Sequence, residues 1–341
     1  MRPVPRSTWI VAGIIFAAAL LLGLLSLLAI GLHVGKGFFV GLLMAVLPVP
    51  FYVAFALWVD RFESEPPWLL VLAFAWGASI ATFFSMLFNL VLAAPFTEEL
   101  MKGAALLLLF LWKREHFDNV TDGIVYASMV GLGFAMTENV QYYGAALAQD
   151  GAAVVFFLRG IMGPFAHPLF TSMTGIGLGL ARETHRAPVK WLAPAFGLLA
   201  AIILHSLWNI AASYGFAFFI AYAVVMVPAF AAVIVIAIFS LQREANLIRA
   251  HLQSVVAEGV LSGEDILVLS SVRQRLRVSA QALFTRGFGH WRARRRFHAL
   301  ATELAFHSWR ASREATADAQ AIHASLREAV SAARMTACSD T

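Results

Sequence analysis

Residues 10–32, IVAGIIFAAALLLGLLSLLAIGL, contain no charged side chain, and apolar segments of similar length recur along the first 240 positions of this 341-residue chain. That recurrence constrains the fold more than any other feature. A helix rises about 1.5 Å per residue, so about 20 apolar residues cross a hydrocarbon core roughly 30 Å thick. The chain is 60% hydrophobic and 13% charged, whereas an ordinary soluble domain is roughly 45–50% apolar and about 25% charged. The expected fold is therefore all-α, a polytopic membrane helical bundle. Spans are expected near 9–32, 37–59, 68–91, 95–112, 120–146, 152–181, 191–213 and 216–240, about eight transmembrane helices. Only AAP separates the third from the fourth, and Pro95 suits a first helical turn.

The N-terminal segment has the basic flank of a signal peptide. Its apolar stretch is too long for a signal h-region and no small-x-small site follows it, so a retained first span is expected. Lys and Arg gather in the short loops that face the cytoplasm. One side of the expected topology holds Arg2, Arg6, Arg61, Lys113, Arg114, Arg182, Arg186 and Lys190, and the other holds only Lys36. Both termini are accordingly expected in the cytoplasm, and the protein in a bacterial inner membrane. Cys338 is the single cysteine, which excludes an internal disulfide framework and a Cys-based metal cluster.

Composition changes after residue 240. Residues 241–341 carry 14 Arg and no Lys against nine acidic residues, the whole of the chain's net charge of +5. The expected division is a transmembrane domain over 1–240 and a basic, helical cytoplasmic tail over 241–341. In LSGEDILVL, Ser262 and Asp265 have the spacing of a helix-capping pair, and GHWRARRRFHALATELAFHSW has helical periodicity. The Arg292–Arg296 cluster has two readings, an anionic-lipid contact or a solvated basic face beside the membrane. Nucleic acid is not an expected partner, because no nucleic-acid module accompanies the charge.

Ionisable groups inside spans cost roughly 2.5–3.5 kcal/mol each on insertion scales, so each is a functional candidate. The fourth span holds Glu98, Glu99 and Lys102, and the fifth Glu138 and Asn139. The sixth holds Arg159 and His167, and the seventh His205 and Asn209. Glu98 and Lys102 share a helix face, as do His205 and Asn209, and Phe134 lies one turn from Glu138. Counting helical rise from the span ends, Glu98 lies about 5 Å below the outer end, Glu138 about 26 Å up, and His205 about 21 Å up. His167 joins that level only if the sixth span breaks at Gly160, Gly163 and Pro164. The competing reading is structural glue between helices, which fits Lys102, Arg159 and Asn139 better than Glu98, Glu138 and His205. Asp122 is expected to cap the fifth helix. His116 and His185 fall in loops and are expected to be solvated.

Two reaction schemes fit these residues. In one, Glu98 and Glu138 share a proton, the ionised carboxylate takes a proton from water that attacks an amide, and His205 and Asn209 donate to the oxyanion. In the other, Glu98, Glu138, His167 and His205 are candidate ligands of Zn²⁺, which activates the water while another Glu acts as base. No HExxH occurs, so the metal-free scheme is favoured and Zn²⁺ is the one cofactor left open.

EELMK, DGIVYASMVGLGFAMTEN, the Arg and His of RGIMGPFAHPLF, and LHSLWN occur in this order. Together they resemble the motifs of PrsW-type intramembrane proteases, relatives of the CAAX prenyl endopeptidases and bacteriocin-processing enzymes. The resemblance covers roughly residues 37–240 and implies cleavage, from the outer side, of a membrane-tethered protein such as a single-span anti-sigma factor. By that resemblance Glu98 and Glu99 match the paired glutamates, Glu138 the FxxxE residue, and His167 and His205 the later histidines. His205 and Asn209 match the HxxxN pair that the CAAX relatives use for the oxyanion. The competing functions are a proton- or cation-coupled transporter, which calls for a repeat of interrupted helices absent from this sequence, and a non-catalytic membrane scaffold.

Overall fold

The computed structural model of the protein describes residues 5–58, 62, 65–89, 93–147, 149, 151–313 and 319–338. Among them the chain forms helices joined by short turns, with no strand. It divides into two compact units, Met1–Asp60 with Glu65–Ala237, and Arg61–Ser64 with Ile238–Thr341.

The first unit opens with α1 (Arg6–Val34), a tight turn at Gly35–Gly37, α2 (Phe38–Val46) and α3 (Val49–Ala56). Gly35 takes φ 58° at that turn, where a side chain would be strained. The expected second span is interrupted after Val46, where Pro48 and Pro50 withhold backbone N–H groups. Next, α4 (Pro67–Ala75) passes through a π-helical turn at Trp76–Ala81 into α5 (Thr82–Phe88). α6 (Ala94–Trp112) and α7 (Val120–Leu147) come next. α8 (Ala152–Phe156) leads into a second π-helical turn at Phe157–Met162, and the chain breaks before α9 (Ala166–Glu183). The break falls at Gly163–Phe165, in keeping with the Gly and Pro residues of the expected sixth span. α10 (Ala187–Ala212) and α11 (Ala217–Ala221) precede α12 (Val227–Ala257), which carries the chain into the second unit.

Among the described residues six helices are long and apolar enough to cross a membrane, against the eight spans expected. Arg6–Ala56 counts among them as one element. The other difference is α6, whose 19 residues include Glu98, Glu99 and Lys102. Three ionisable groups keep it off a count made on apolarity.

α7 is the centre of the first unit. Every residue from Val120 to Ala135 is buried, with α2, α3, α4 and α9 packed around it. The sequence GIVYASMVGLGFA explains how neighbours come so close, since small residues let helix backbones touch where lipid provides no hydrophobic drive. A Cβ on Gly123 would lie 2.2 Å from the carbonyl oxygen of Gly175, and one on Gly175 would lie 2.1 Å from that of Gly123. The leucines of α1 such as Leu20, Leu24 and Leu28 remain about 60% exposed, as side chains facing lipid do.

The second unit has its own core, in which Phe62, Ile248, Leu252, Val255, Phe297 and Leu304 are buried together. It comprises the end of α12, α13 (Gly263–Leu269), α14 (Val272–Arg313) and α15 (Ala319–Cys338). Ser262 and Asp265 form the reciprocal capping box expected at the start of α13. α14 is broken at Gly287, with φ 83° and ψ −176°. Arg275 is buried and satisfied: it donates to the carbonyl oxygens of Leu269 (2.8 Å) and Phe62 (3.3 Å) and to Thr302 Oγ1 (2.6 Å).

Candidate active site

Four helices and one π-helical turn bring the intramembrane polar residues into a single cluster. Pro95 lies at the start of α6, so Glu98 and Glu99 fall in its second turn and Lys102 one turn further on. The indole of Trp76 donates to the carbonyl oxygen of Met101 (3.1 Å), and Thr137 Oγ1 to that of Ala78 (2.7 Å). These two bonds tie α6 and α7 to the first π-helical turn. Arg159 projects from the second. The carbonyl oxygens beside it accept from outside the helix, Gly160 from Tyr52 (2.5 Å) and Met162 from Tyr222 (2.9 Å). A π-bulge inserts one residue into the helical ladder and rotates the residues after it, and these two hydroxyls satisfy groups released by that irregularity.

Lys102 is completely buried at the centre. Its ammonium donates to Glu99 Oε1 at 2.6 Å, meets His167 Nδ1 at 3.0 Å, stands 3.9 Å from Glu98 Oε2, and lies over the Phe134 ring at 4.0 Å. Glu99 also meets His205 Nδ1 at 2.9 Å and accepts from Thr171 at 3.3 Å. His167 Nε2 contacts Glu138 Oε2 at 2.9 Å, and the same oxygen accepts from Arg159 Nη2. Arg159 Nε donates to Asn139 Oδ1 at 2.6 Å, and the guanidinium covers the Tyr142 ring at 3.8 Å.

These contacts assign the imidazole protons. An ammonium can only donate, so His167 accepts at Nδ1 and carries its proton on Nε2 toward Glu138. Glu99 is engaged as an acceptor, so a neutral His205 donates from Nδ1 and turns the lone pair of Nε2 outward. That lone pair faces Glu98 Oε2 at 3.6 Å, and Glu98 Oε2 is buried without a hydrogen-bond partner among the described residues. Two acceptors pointing at one another need a proton, a water or a cation between them.

Glu98, His167 and His205 each offer one ligand atom, all within 4.8 Å of one another. The donor chemistry suits Zn²⁺, with one carboxylate and two imidazoles. Two details support the fit: Glu98 Oε2 is unpartnered, and Glu99 holds the far nitrogen of His205 as outer-shell carboxylates hold metal-bound histidines. His167 would join them as a ligand only by giving up the Lys102 ammonium at Nδ1.

Of the residues singled out in the sequence, Glu98, Glu99, Lys102, Glu138, Asn139, Arg159, His167 and His205 meet here. Asn209 does not: one turn from His205, its side chain is exposed. Asp122 lies at the other end of α7, accepting from the backbone N–H of Asp118 (2.8 Å) and Asn119 (3.1 Å), while Asn119 Oδ1 accepts from the Asp122 N–H (3.1 Å). That is the capping arrangement anticipated for it. His116 corrects the expectation of a merely solvated loop histidine, because its Nδ1 lies 3.8 Å from the buried Glu65. Thr171 is a site residue that the sequence reading misses, although it stands four residues from His167 and so on the same face of α9. Phe170, which stacks on His205 at 4.9 Å, carries no polar signal that a sequence reading could use.

The model of the PrsW family of intramembrane metalloproteases matches residues 65–233, a range that contains the whole cluster. Protease PrsW of Oceanobacillus iheyensis is 29% identical over 194 residues, which span 53% of this chain and 85% of the relative. Protease PrsW of Bacillus subtilis is 30% identical over 166 residues, spanning 44% and 72%, and that of Geobacillus kaustophilus is 28% identical over 164 residues, spanning 44% and 69%. No solved structure matches the chain.

Proposed function

The chain belongs to the PrsW family of intramembrane metalloproteases, and on that premise we propose how its buried cluster hydrolyses a peptide bond. It is an intramembrane protease, and its substrate is a protein in the membrane. The transport and scaffold readings are not favoured.

The observation that carries the proposal is the 3.6 Å gap between Glu98 Oε2 and His205 Nε2, two buried acceptors without a donor between them. A water seated beside the two atoms, within hydrogen-bond reach of each, donates to both. Glu98 takes the water's proton as the oxygen attacks the scissile carbonyl, and the Glu99–His205 bond fixes the imidazole that aims it. Glu98 then passes that proton to the leaving amine, while Glu138, an acceptor for His167 and Arg159 that is 18% exposed at its side chain, holds those two groups in place. The Arg159 N–H groups not engaged by Glu138 or Asn139 are donors available to a developing oxyanion. Lys102 balances the negative charge of the paired glutamates inside the membrane. Glu98, His167 and His205 are the residues that would hold Zn²⁺, which when bound lowers the pKa of a coordinated water and polarises the carbonyl.

The loop charges support a cytoplasmic location for both termini in a bacterial inner membrane, which puts the cluster toward the outer face. On this reading residues 1–240 form the protease domain, with its core in 37–240, and residues 241–341 the cytoplasmic tail. The substrate class is then a single-span protein cut near its outer end, of the anti-sigma-factor kind.

The test is cleavage of single-span candidates in proteoliposomes by wild type and Glu98→Gln, each with and without a zinc chelator. The proposal requires fragments from wild type alone. Equal fragments from Glu98→Gln would overturn the role of Glu98, and chelator-resistant cleavage by wild type would remove the metal.

A further inference from the structure

After the break at Gly287, α14 presents two opposite faces. Phe297, Ala301, Leu304 and Ala305 are buried in the core of the second unit. About half a turn away around the helix, Phe288, Trp291, Arg292, Arg295 and Arg296 fall at i, i+3, i+4, i+7 and i+8, the spacing of a single stripe. Phe288 and Trp291 stack with centroids 5.1 Å apart. Arg295 lies 5.1 Å from the Trp291 ring and Arg292 6.0 Å from that of Phe288. The three arginines are exposed, and no acidic partner meets them among the described residues. Just before the break Phe284 is 86% exposed, and Phe288 itself is 61% exposed.

A solvated basic face explains the arginines but not the large aromatic groups left in water beside them. We propose that this stripe docks on the headgroup layer of an anionic bilayer, with Phe284 and Phe288 entering the interface and Arg292, Arg295 and Arg296 bound to lipid phosphates. Interfacial helices have this composition, with bulky apolar groups beside cationic residues. Guanidinium groups suit phosphate oxygens because their planar fork donates two parallel hydrogen bonds. The membrane is within reach, since α12 runs unbroken from the apolar Val227–Phe239 stretch to Ala257 in the second unit. Exposed phenylalanines with no nucleic-acid module favour lipid over nucleic acid as the occupant.

The experiment uses the full chain in nanodiscs of phosphatidylcholine, with or without phosphatidylglycerol, in a Cys338→Ser background. An environment-sensitive fluorophore at Phe284→Cys reports docking, and spin-labelled lipid reports contact by quenching. Phosphatidylglycerol is expected to blue-shift the probe and make it quenchable. With roughly 1 kcal/mol for each arginine at an anionic surface, replacing Arg292, Arg295 and Arg296 by Gln shifts the docking equilibrium by on the order of 100-fold, and high salt weakens it similarly. A probe that stays in water in both discs overturns the proposal, as does docking unchanged in the triple variant with its helical content intact. A response to short duplex DNA exceeding that to phosphatidylglycerol would assign the face to nucleic acid instead.

Discussion

Glu98 Oε2 and the Nε2 lone pair of His205 face one another across 3.6 Å, from α6 and α10, with Glu99 holding the far side of the imidazole at 2.9 Å. Neither atom can satisfy the other unless something with a proton or a positive charge lies between. In a region without bulk water, that arrangement is costly to keep for structure alone.

If the two atoms act on one water, they act as a unit. Glu98→Gln and His205→Gln should each lower cleavage by about 100-fold or more, and the double variant should be little worse than the poorer single one, because effects within a catalytic unit do not add. Rates from reconstituted protein with one single-span substrate give the cycle. Fully additive losses would mean two independent structural roles.

Arg159 divides its fork, with Nη2 on Glu138 and Nε on Asn139. A lysine keeps the charge but cannot reproduce that geometry. Arg159→Lys is therefore expected to lower kcat by about 10-fold or more with the protein still folded, since removing a charged hydrogen-bond partner costs roughly 1.5–3 kcal/mol. A Lys variant with wild-type kcat would reduce Arg159 to a counter-charge.

How much of this was legible in the sequence depends on how local each signal is. The all-α membrane bundle, the cap at Asp122 and the break before His167 follow from apolar runs and from Pro and Gly, which act on their immediate neighbours, whereas the number of spans did not. The meeting of Glu98, Glu138 and His205 was legible too, because helical rise alone puts them at one depth. The three donors Glu98, His167 and His205 were named from the sequence as candidate ligands together with Glu138; coming from three helices with no HExxH-like spacing, they gave no sign that Glu138 stands outside the triad. Asn209 shows the limit from the other side: its spacing puts it one turn from His205, yet four residues of helix displace a side chain far enough to leave it exposed. The inclusion of Phe62 in the second unit was invisible, because one phenylalanine in a short loop has no pattern around it.

The close helix contacts make a stability prediction. Gly123→Ala would put a methyl group 2.2 Å from the carbonyl oxygen of Gly175, against backbone that cannot turn aside as a side chain would. Overpacking of a dense interior typically costs about 1–3 kcal/mol. Thermal unfolding in detergent should show a lower Tm for Gly123→Ala, while Gly13→Ala, where a Cβ meets nothing within 4 Å, should leave it unchanged. Equal Tm values would mean that the two backbones are not in contact.

His298 gives the second unit a pH dependence. It is buried, its Nε2 has no hydrogen-bond partner among the described residues, and burial together with the positive charges of Arg275, Arg294 and Arg295, opposed by Asp265, lowers its pKa to about 3. The folded unit therefore keeps this imidazole neutral where the unfolded chain, with an ordinary value of about 6.5, already binds a proton. Proton uptake then favours unfolding, so stability is complete above about pH 6.5 and falls with pH down toward about 3, by about 2 kcal/mol near pH 5. Hydrogen exchange of peptides from α13 and α14 in the full chain, corrected for intrinsic rates, should show lower protection near pH 5 than near pH 7. His298→Gln, which cannot titrate, should flatten that difference. If the glutamine variant keeps the full acid sensitivity, another group is responsible and His298 is protonated or solvated in the folded unit.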